Sequence, residues 1–185
     1  MQVSILCGGK SSRMQSEKGL VLFQNKPFIE HIITAVLPIS STIQLITNTN
    51  NYDYLHHPKT KDILTGKGPI GGIHSALTNS KTELNLILSC DIPLISTEIL
   101  LELIHKHNDD FDVSVFNDDH RTHPLIGIYS KKIIPILEKS IEENNLKLMH
   151  LLSKVQHQLI PVGSQKSKLF KNINSVAELH ELNDH

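Results

Sequence analysis

Three stretches of the chain set polar, chemistry-bearing residues directly behind apolar runs. The first is Leu6-Cys7-Gly8-Gly9-Lys10-Ser11-Ser12-Arg13-Met14, with Lys18 close behind. Adjacent glycines let a backbone come close to a ligand and turn N–H groups toward phosphate oxygens. Arg13 and Lys18 add two fixed cations to the same short loop, a combination suited to a triphosphate. The loop lacks both the third glycine of the dinucleotide fingerprint and the Gly-Lys-Ser/Thr ending of the P-loop. Taken alone it also reads as a solvated turn with two surface cations. The second stretch is Cys90-Asp91-Ile92-Pro93. Magnesium takes oxygen ligands, usually one or two carboxylates with phosphate oxygens, so Asp91 is a candidate metal ligand. An N-cap role is the plain alternative, yet Ser96 already supplies the cap of the following helix. The third is Asn48, which closes the run Thr42 to Thr47; by itself it is ordinary turn chemistry, as is Asp62.

Those residues need elements to hold them. Val3 to Cys7 and Leu84 to Cys90 are apolar almost throughout, the pattern of strands buried on both faces of a parallel sheet. Thr42 to Thr47 is a third strand. Helical spacing recurs at Phe28 to Leu37, from Gly68 to Leu77 behind Pro69, and from Ser96 to about His107. The segment from Asn50 to Lys67 reads as mostly irregular, with a brief extended piece at Asp62-Ile63-Leu64. Further along, strands are expected at Phe111–Phe116, Leu125–Tyr129 and Gln158–Val162. Helices are expected at Lys131–Glu143, Lys147–Leu152 and Ser175–Leu182. Strands alternating with helices predict a three-layer α/β/α sandwich around a mainly parallel mixed sheet, Rossmann-like, in one domain spanning 1–185. In such sheets ligands bind beyond the carboxyl ends of the strands, and the three polar stretches all lie there.

Composition narrows the partners. The 185 residues carry a formal net charge of -1, which gives no general electrostatic case for nucleic acid or a membrane surface. No apolar run approaches the roughly 20 residues of a bilayer span, and no signal-peptide pattern opens the chain, so the cytoplasm is expected. The two cysteines, Cys7 and Cys90, end apolar strands and read as small core residues that could lie side by side. The 12 histidines are scattered without the pairing of a zinc site.

Together the stretches resemble the GT-A-like nucleotidyltransferases, and within them the molybdenum cofactor guanylyltransferases. The resemblance rests on Leu6 to Met14 with Lys18-Gly19-Leu20, then Asn48, Asp62, Gly68-Pro69-Ile70-Gly71-Gly72, Cys90-Asp91-Ile92-Pro93, His123-Pro124 and Asn172-Ile173-Asn174. It implies a transfer of GMP from magnesium-GTP to the terminal phosphate of molybdopterin, with release of pyrophosphate. Backbone groups of Leu6, Cys7, Gly8 and Gly9 would then meet the guanosine, with Asn48 and Asp62 completing its pocket. Lys18 and Arg13 would bind the triphosphate and Asp91 the metal, these three forming the catalytic set. His123 and Asn174 would lie toward the acceptor, which cofactor-assembly proteins could hand over. The chain departs from the family pattern at Cys7, where alanine is usual, at Gln15 and Glu17 beside the cationic loop, and at Ser175-Val176, where Thr-Pro is common. The alternatives are a cytidylyltransferase acting on molybdopterin or on a sugar or polyol phosphate, and an inactive nucleotide-binding relative. A dinucleotide oxidoreductase is disfavoured because Asn48 stands where an acidic residue would be needed.

Overall fold

The computed structural model describes residues 1–8, 17–173 and 178. Strand β1 (Gln2–Leu6) runs through the middle of a seven-stranded sheet and is buried along its whole length. On one side it pairs in parallel with β4 (Ile43–Ile46), and β4 pairs with a short edge strand β5 (Lys59–Thr60). On the other side it pairs in parallel with β6 (Leu84–Ser89), so that Leu6 sits between Ile46 and Ser89. The order then continues through β8 (Thr122–Ser130), β7 (Val113–Asn117) and β9 (His157–Pro161). Strand β8 is antiparallel to both of its neighbours, which makes the sheet mixed. A separate two-stranded ribbon joins β2 (Leu22–Phe23) to β3 (Lys26–Pro27).

The alternation of side chains across the sheet builds two apolar layers. Val3, Ile5, Leu86 and Leu88 pack beneath α1 (Phe28–Val36) and α3 (Thr97–Lys106), with Ile32 and Leu100 fully buried between them. Leu6, Ile46, Ile87 and Val113 face α2 (Gly68–Asn79), α4 (Ile134–Glu142) and α5 (Leu148–Leu152) on the opposite side. Burial on both faces explains why β1 and β6 read as continuous apolar runs rather than as alternating ones. The α/β/α sandwich expected from the sequence is therefore observed.

Local chemistry sets the element ends. Ser96 caps α3 by accepting from the Ile99 N–H, and Pro69 occupies the first turn of α2. Gly66 and Gly68 have φ of 76° and 59°, a left-handed backbone that suits glycine on entry to α2. Near the centre of β8, an added Cβ at Gly127 would lie 2.6 Å from Val115 Cγ1 and 3.0 Å from the Ser114 carbonyl oxygen. Gly127→Ala is therefore expected to lower stability by about 1–3 kcal/mol through overpacking, measured as a fall in the urea midpoint.

Three expectations are corrected. The extended piece lies at Lys59–Thr60 rather than Asp62–Leu64, because Lys59 and Thr60 are the residues in register with Leu45 and Ile46. The helix after β8 begins as a 3-10 turn at Lys131–Ile133, with Ser130 accepting from the Lys132 N–H, and becomes α-helical only at Ile134. Strand β8 starts at Thr122, so His123 belongs to a strand. The helix expected over Ser175–Leu182 lies outside the described residues apart from Glu178.

Candidate active site

The carboxyl ends of β4, β1 and β6 open into a cavity of about 680 Å3. Its lining includes Leu6, Gly8, Lys18, Asn48, Asp62 and Asp91, so six of the residues singled out in the sequence meet in one place. The volume falls within the usual range of small-molecule sites. Cys7 does not line it. Its side chain turns into the core beneath α1, and Cys90 borders the cavity instead. Both thiols are free and buried. Burial, with the Cys90 thiol beside it, pushes the Cys7 thiol up, which keeps it protonated and unreactive. Gly9, Arg13 and Asn174 lie outside the described residues.

Asp91 is the hub of the site. Strand β6 ends at Ser89, and the chain turns so that Asp91, a residue 4% exposed, lines the cavity. Its Oδ2 meets Lys18 Nζ at 2.9 Å. Its Oδ1 accepts from Ser89 Oγ at 2.5 Å and from Asn172 Nδ2 at 3.0 Å. Its main-chain carbonyl accepts from the Ile173 N–H at 3.0 Å. One residue thus gathers the segment after the cationic loop, the end of β6 and the C-terminal strap. The strap is held from the other side as well, because Ile173 packs with Val21, Phe23 and Phe28 just beyond Lys18. Asn172 was not singled out as the member of Asn172-Ile173-Asn174 that reaches the site, although the motif itself was visible.

Across the cavity Asn48 and Asp62 form a reciprocal pair. Asn48 Nδ2 donates to Asp62 Oδ2 at 2.9 Å, and Asn48 Oδ1 accepts from the Asp62 N–H at 2.9 Å. The amide at the end of β4 therefore fixes where the Asp62 carboxylate stands. The first turn of α2 borders the same cavity through Gly68, Pro69 and Gly72. At Gly72 an added Cβ would lie 3.2 Å from Leu6 Cδ1, so the glycine keeps the helix start close to the end of β1. A helix N-terminus at this point directs N–H groups and a positive partial charge toward an anion.

A second cavity of about 260 Å3 adjoins the first, sharing Ser89, Leu125 and Asn172 with it. Its wall includes Arg121, Thr122, His123 and Pro124, from the start of β8. His123 is buried, with Nε2 at 2.9 Å from Asp118 Oδ2 and its ring against Phe170 at 4.7 Å between centroids. Burial pushes the Asp118 carboxyl up. The His123 ring and the backbone N–H groups of His120 and Arg121 outweigh that and hold it well below the usual carboxylate range. Burial pulls His123 down despite that neighbour, which favours the neutral imidazole.

An open α/β sheet with a cationic group, a buried carboxylate and a helix N-terminus meeting beyond its parallel strands suits the binding of a nucleotide's phosphates. Residues 3–159 match the model of the MobA-like NTP transferase domain, and the chain belongs to that family. It is 60% identical to a Flavobacterium johnsoniae protein named “Probable molybdenum cofactor guanylyltransferase”, covering 97% of this chain and 94% of that one. A Vibrio vulnificus protein named “Molybdenum cofactor guanylyltransferase” is 32% identical, covering 95% and 91%. The fold also matches the crystal structure of molybdopterin-guanine dinucleotide biosynthesis protein A from Archaeoglobus fulgidus. There the TM-score is 0.85 and the identity 22%, with 100% of this chain and 97% of that chain covered.

Proposed function

We propose that this chain, as one domain over 1–185, transfers GMP from magnesium-GTP to the terminal phosphate of molybdopterin in the cytoplasm, releasing pyrophosphate. The observation that carries the reading is the junction at Asp91, where Lys18, Ser89 and Asn172 converge between two adjoining cavities. The larger cavity suits the nucleotide and the smaller one the acceptor. No helix among the described residues is long and apolar enough to cross a membrane.

The backbone of Leu6 and Gly8 meets the guanosine, with Gly9 assigned to it as well, and Asn48 with Asp62 closes its pocket. Lys18 neutralises the triphosphate over the N-terminus of α2, and Arg13 is assigned to the same phosphates. The acceptor oxygen is already a phosphate anion, so the residues need to position and neutralise rather than remove a proton. Asp91 and Ser89 offer oxygen atoms here, beside the Lys18 and Asn172 nitrogens, and among the described residues no group of three or more His, Cys, Asp or Glu is placed to hold a metal. That fits a hard cation held by one carboxylate and by phosphate oxygens, not a zinc cage. Asp91 would hold the magnesium, which supplies charge neutralisation on the phosphates. His123 lies toward the acceptor and Asn174 is assigned to it as well, the acceptor being delivered by a transient contact with cofactor-assembly proteins.

Guanine selection falls to Asp62. Its Oδ2 is held by Asn48, and the carboxylate can accept from guanine N1–H and N2–H. Asp62→Asn is expected to reduce the preference for GTP over ITP and CTP by about 10- to 100-fold, since a buried donor edge loses its acceptor. Calorimetric titration of the three nucleotides, with and without magnesium, measures this and tests the whole reading. A GTP preference that needs magnesium supports it, and a CTP preference would replace the base while keeping the chemistry. Transfer onto molybdopterin from bound GTP then tests the acceptor.

A further inference from the structure

The geometry points to Asp118 as a positioning residue that fixes His123 as a hydrogen-bond acceptor in the second cavity, which therefore selects a ligand presenting an N–H or O–H group there. This rests on the reading that the second cavity takes the pterin phosphate. Asp118 lies at the tip of the β7–β8 hairpin and is 6% exposed. Its Oδ1 accepts from the N–H groups of His120 and Arg121, both at 2.8 Å, and its own N–H donates to the Arg121 carbonyl at 3.0 Å. The carboxylate is thereby locked into the turn and cannot swing away. Its remaining oxygen, Oδ2, stands 2.9 Å from His123 Nε2.

A carboxylate that already accepts two backbone N–H groups can only accept again, so Nε2 carries the ring proton. Neutral imidazole has one donor and one acceptor, so the proton on Nε2 makes Nδ1 the acceptor. The ring cannot turn over to reverse this, because Phe170 packs against it at 4.7 Å and the whole residue is 6% exposed. Thr122 Oγ1 donates to Asn117 Oδ1 at 2.8 Å and Arg121 Nη2 reaches the Phe170 carbonyl at 3.5 Å, which brace the same hairpin end. His123 lines the second cavity, and with Nε2 committed to Asp118 its other ring nitrogen, set as an acceptor from five residues earlier, is the one left for a ligand there. A pterin, rich in ring N–H and amine donors, satisfies it. A ligand that offers only acceptors at that point leaves two lone pairs opposed.

Asp118→Asn tests the assignment. The asparagine oxygen can keep the two backbone bonds, but its amide then donates to Nε2 and drives the proton to Nδ1. We expect the KM for molybdopterin at saturating GTP to rise about 10- to 100-fold, with GTP affinity unchanged. Nitrogen NMR of labelled histidine should show the proton on Nε2 in the parent and on Nδ1 in the variant. A parent with Nδ1 protonated, or a variant with neither tautomer nor KM changed, would overturn the proposal. A switched tautomer with an unchanged KM would show that the second cavity does not hold the acceptor, while GTP selection remained intact. Should Asp118→Asn fail to fold, His123 itself decides. His123→Asn places an amide oxygen near the Nδ1 position and should keep the KM close to the parent value, whereas His123→Leu should raise it; equal KM values in the two would overturn the proposal.

Discussion

Asp91→Ala is expected to abolish GMP transfer, lowering kcat by about three orders of magnitude or more, while circular dichroism and the urea midpoint report an intact fold. The size follows from what the carboxylate touches. It would hold the cation that neutralises the phosphates, and it also receives Lys18, Ser89 and Asn172 within hydrogen-bond reach. Removing it takes away the acceptor of Lys18, Ser89 and Asn172 at this point, and the strap loses the bond from Asn172 to the carboxylate. The Ile173 N–H bond to the Asp91 carbonyl survives, because it is made to the main chain. Asp91→Asn separates the two roles. It keeps an oxygen for Ser89 and Asn172 but loses the charge, so transfer should fall almost as far as in the alanine variant while the strap stays in place. Single-turnover transfer of labelled GMP measures both variants. Near-normal turnover in either would remove Asp91 from the metal position. If only the alanine variant failed, the residue would be an anchor for the strap rather than a ligand.

How much of this was legible from the sequence depends on whether neighbouring residues or distant ones create the feature. Val3–Cys7 and Leu84–Cys90 announced themselves because central parallel strands bury both faces and so leave an unbroken apolar run. The Gly68-Pro69-Ile70-Gly71-Gly72 start of α2 was visible too, since Gly68 answers to a positive φ and Gly71 and Gly72 to close contacts with the Leu64–Lys67 turn and with Leu6. The β2–β3 ribbon was missed because its turn is Gln24-Asn25, with φ of 50° and 61°, and carries no glycine to mark it. Asn48 and Asp62 look like any turn residues until the parallel pairing of β4 and β5 brings them together 14 positions apart in the chain. Asp118 was hidden in the polar turn Asn117-Asp118-Asp119, where only the hairpin pairing shows that its carboxylate reaches His123. Asn172 was hidden differently. Two asparagines in one motif are equivalent on paper, and the bond of Asn172 to Asp91 at 3.0 Å, 81 positions away in the chain, exists only in the fold.

Lys18→Met is expected to slow transfer about 10²- to 10³-fold and, with no nucleotide present, to tighten Mn2+ binding about tenfold. The second effect has the opposite sign because Lys18 Nζ stands 2.9 Å from Asp91 Oδ2, on the atom a cation would need. Without a triphosphate the ammonium and the carboxylate neutralise one another, and a divalent cation approaching Asp91 meets a positive charge. At an effective dielectric constant near 20, two unit charges about 4 Å apart interact by about 4 kcal/mol. The Lys18 side chain is 25% exposed, so solvent takes up much of that, and a gain near 1.4 kcal/mol, or tenfold, is the expected remainder. Methionine keeps the unbranched stem and removes only the charge. Once GTP is bound, its phosphates give Lys18 a competing partner and leave Oδ2 to the cation, so nucleotide and metal are expected to enter as a pair. Titration of Mn2+ followed by electron paramagnetic resonance reads the affinity without turnover. A variant that bound Mn2+ no more tightly than the parent would place the cation away from Asp91 Oδ2. A variant with unchanged turnover and an altered preference among GTP, CTP and ATP would move Lys18 from the triphosphate to the base.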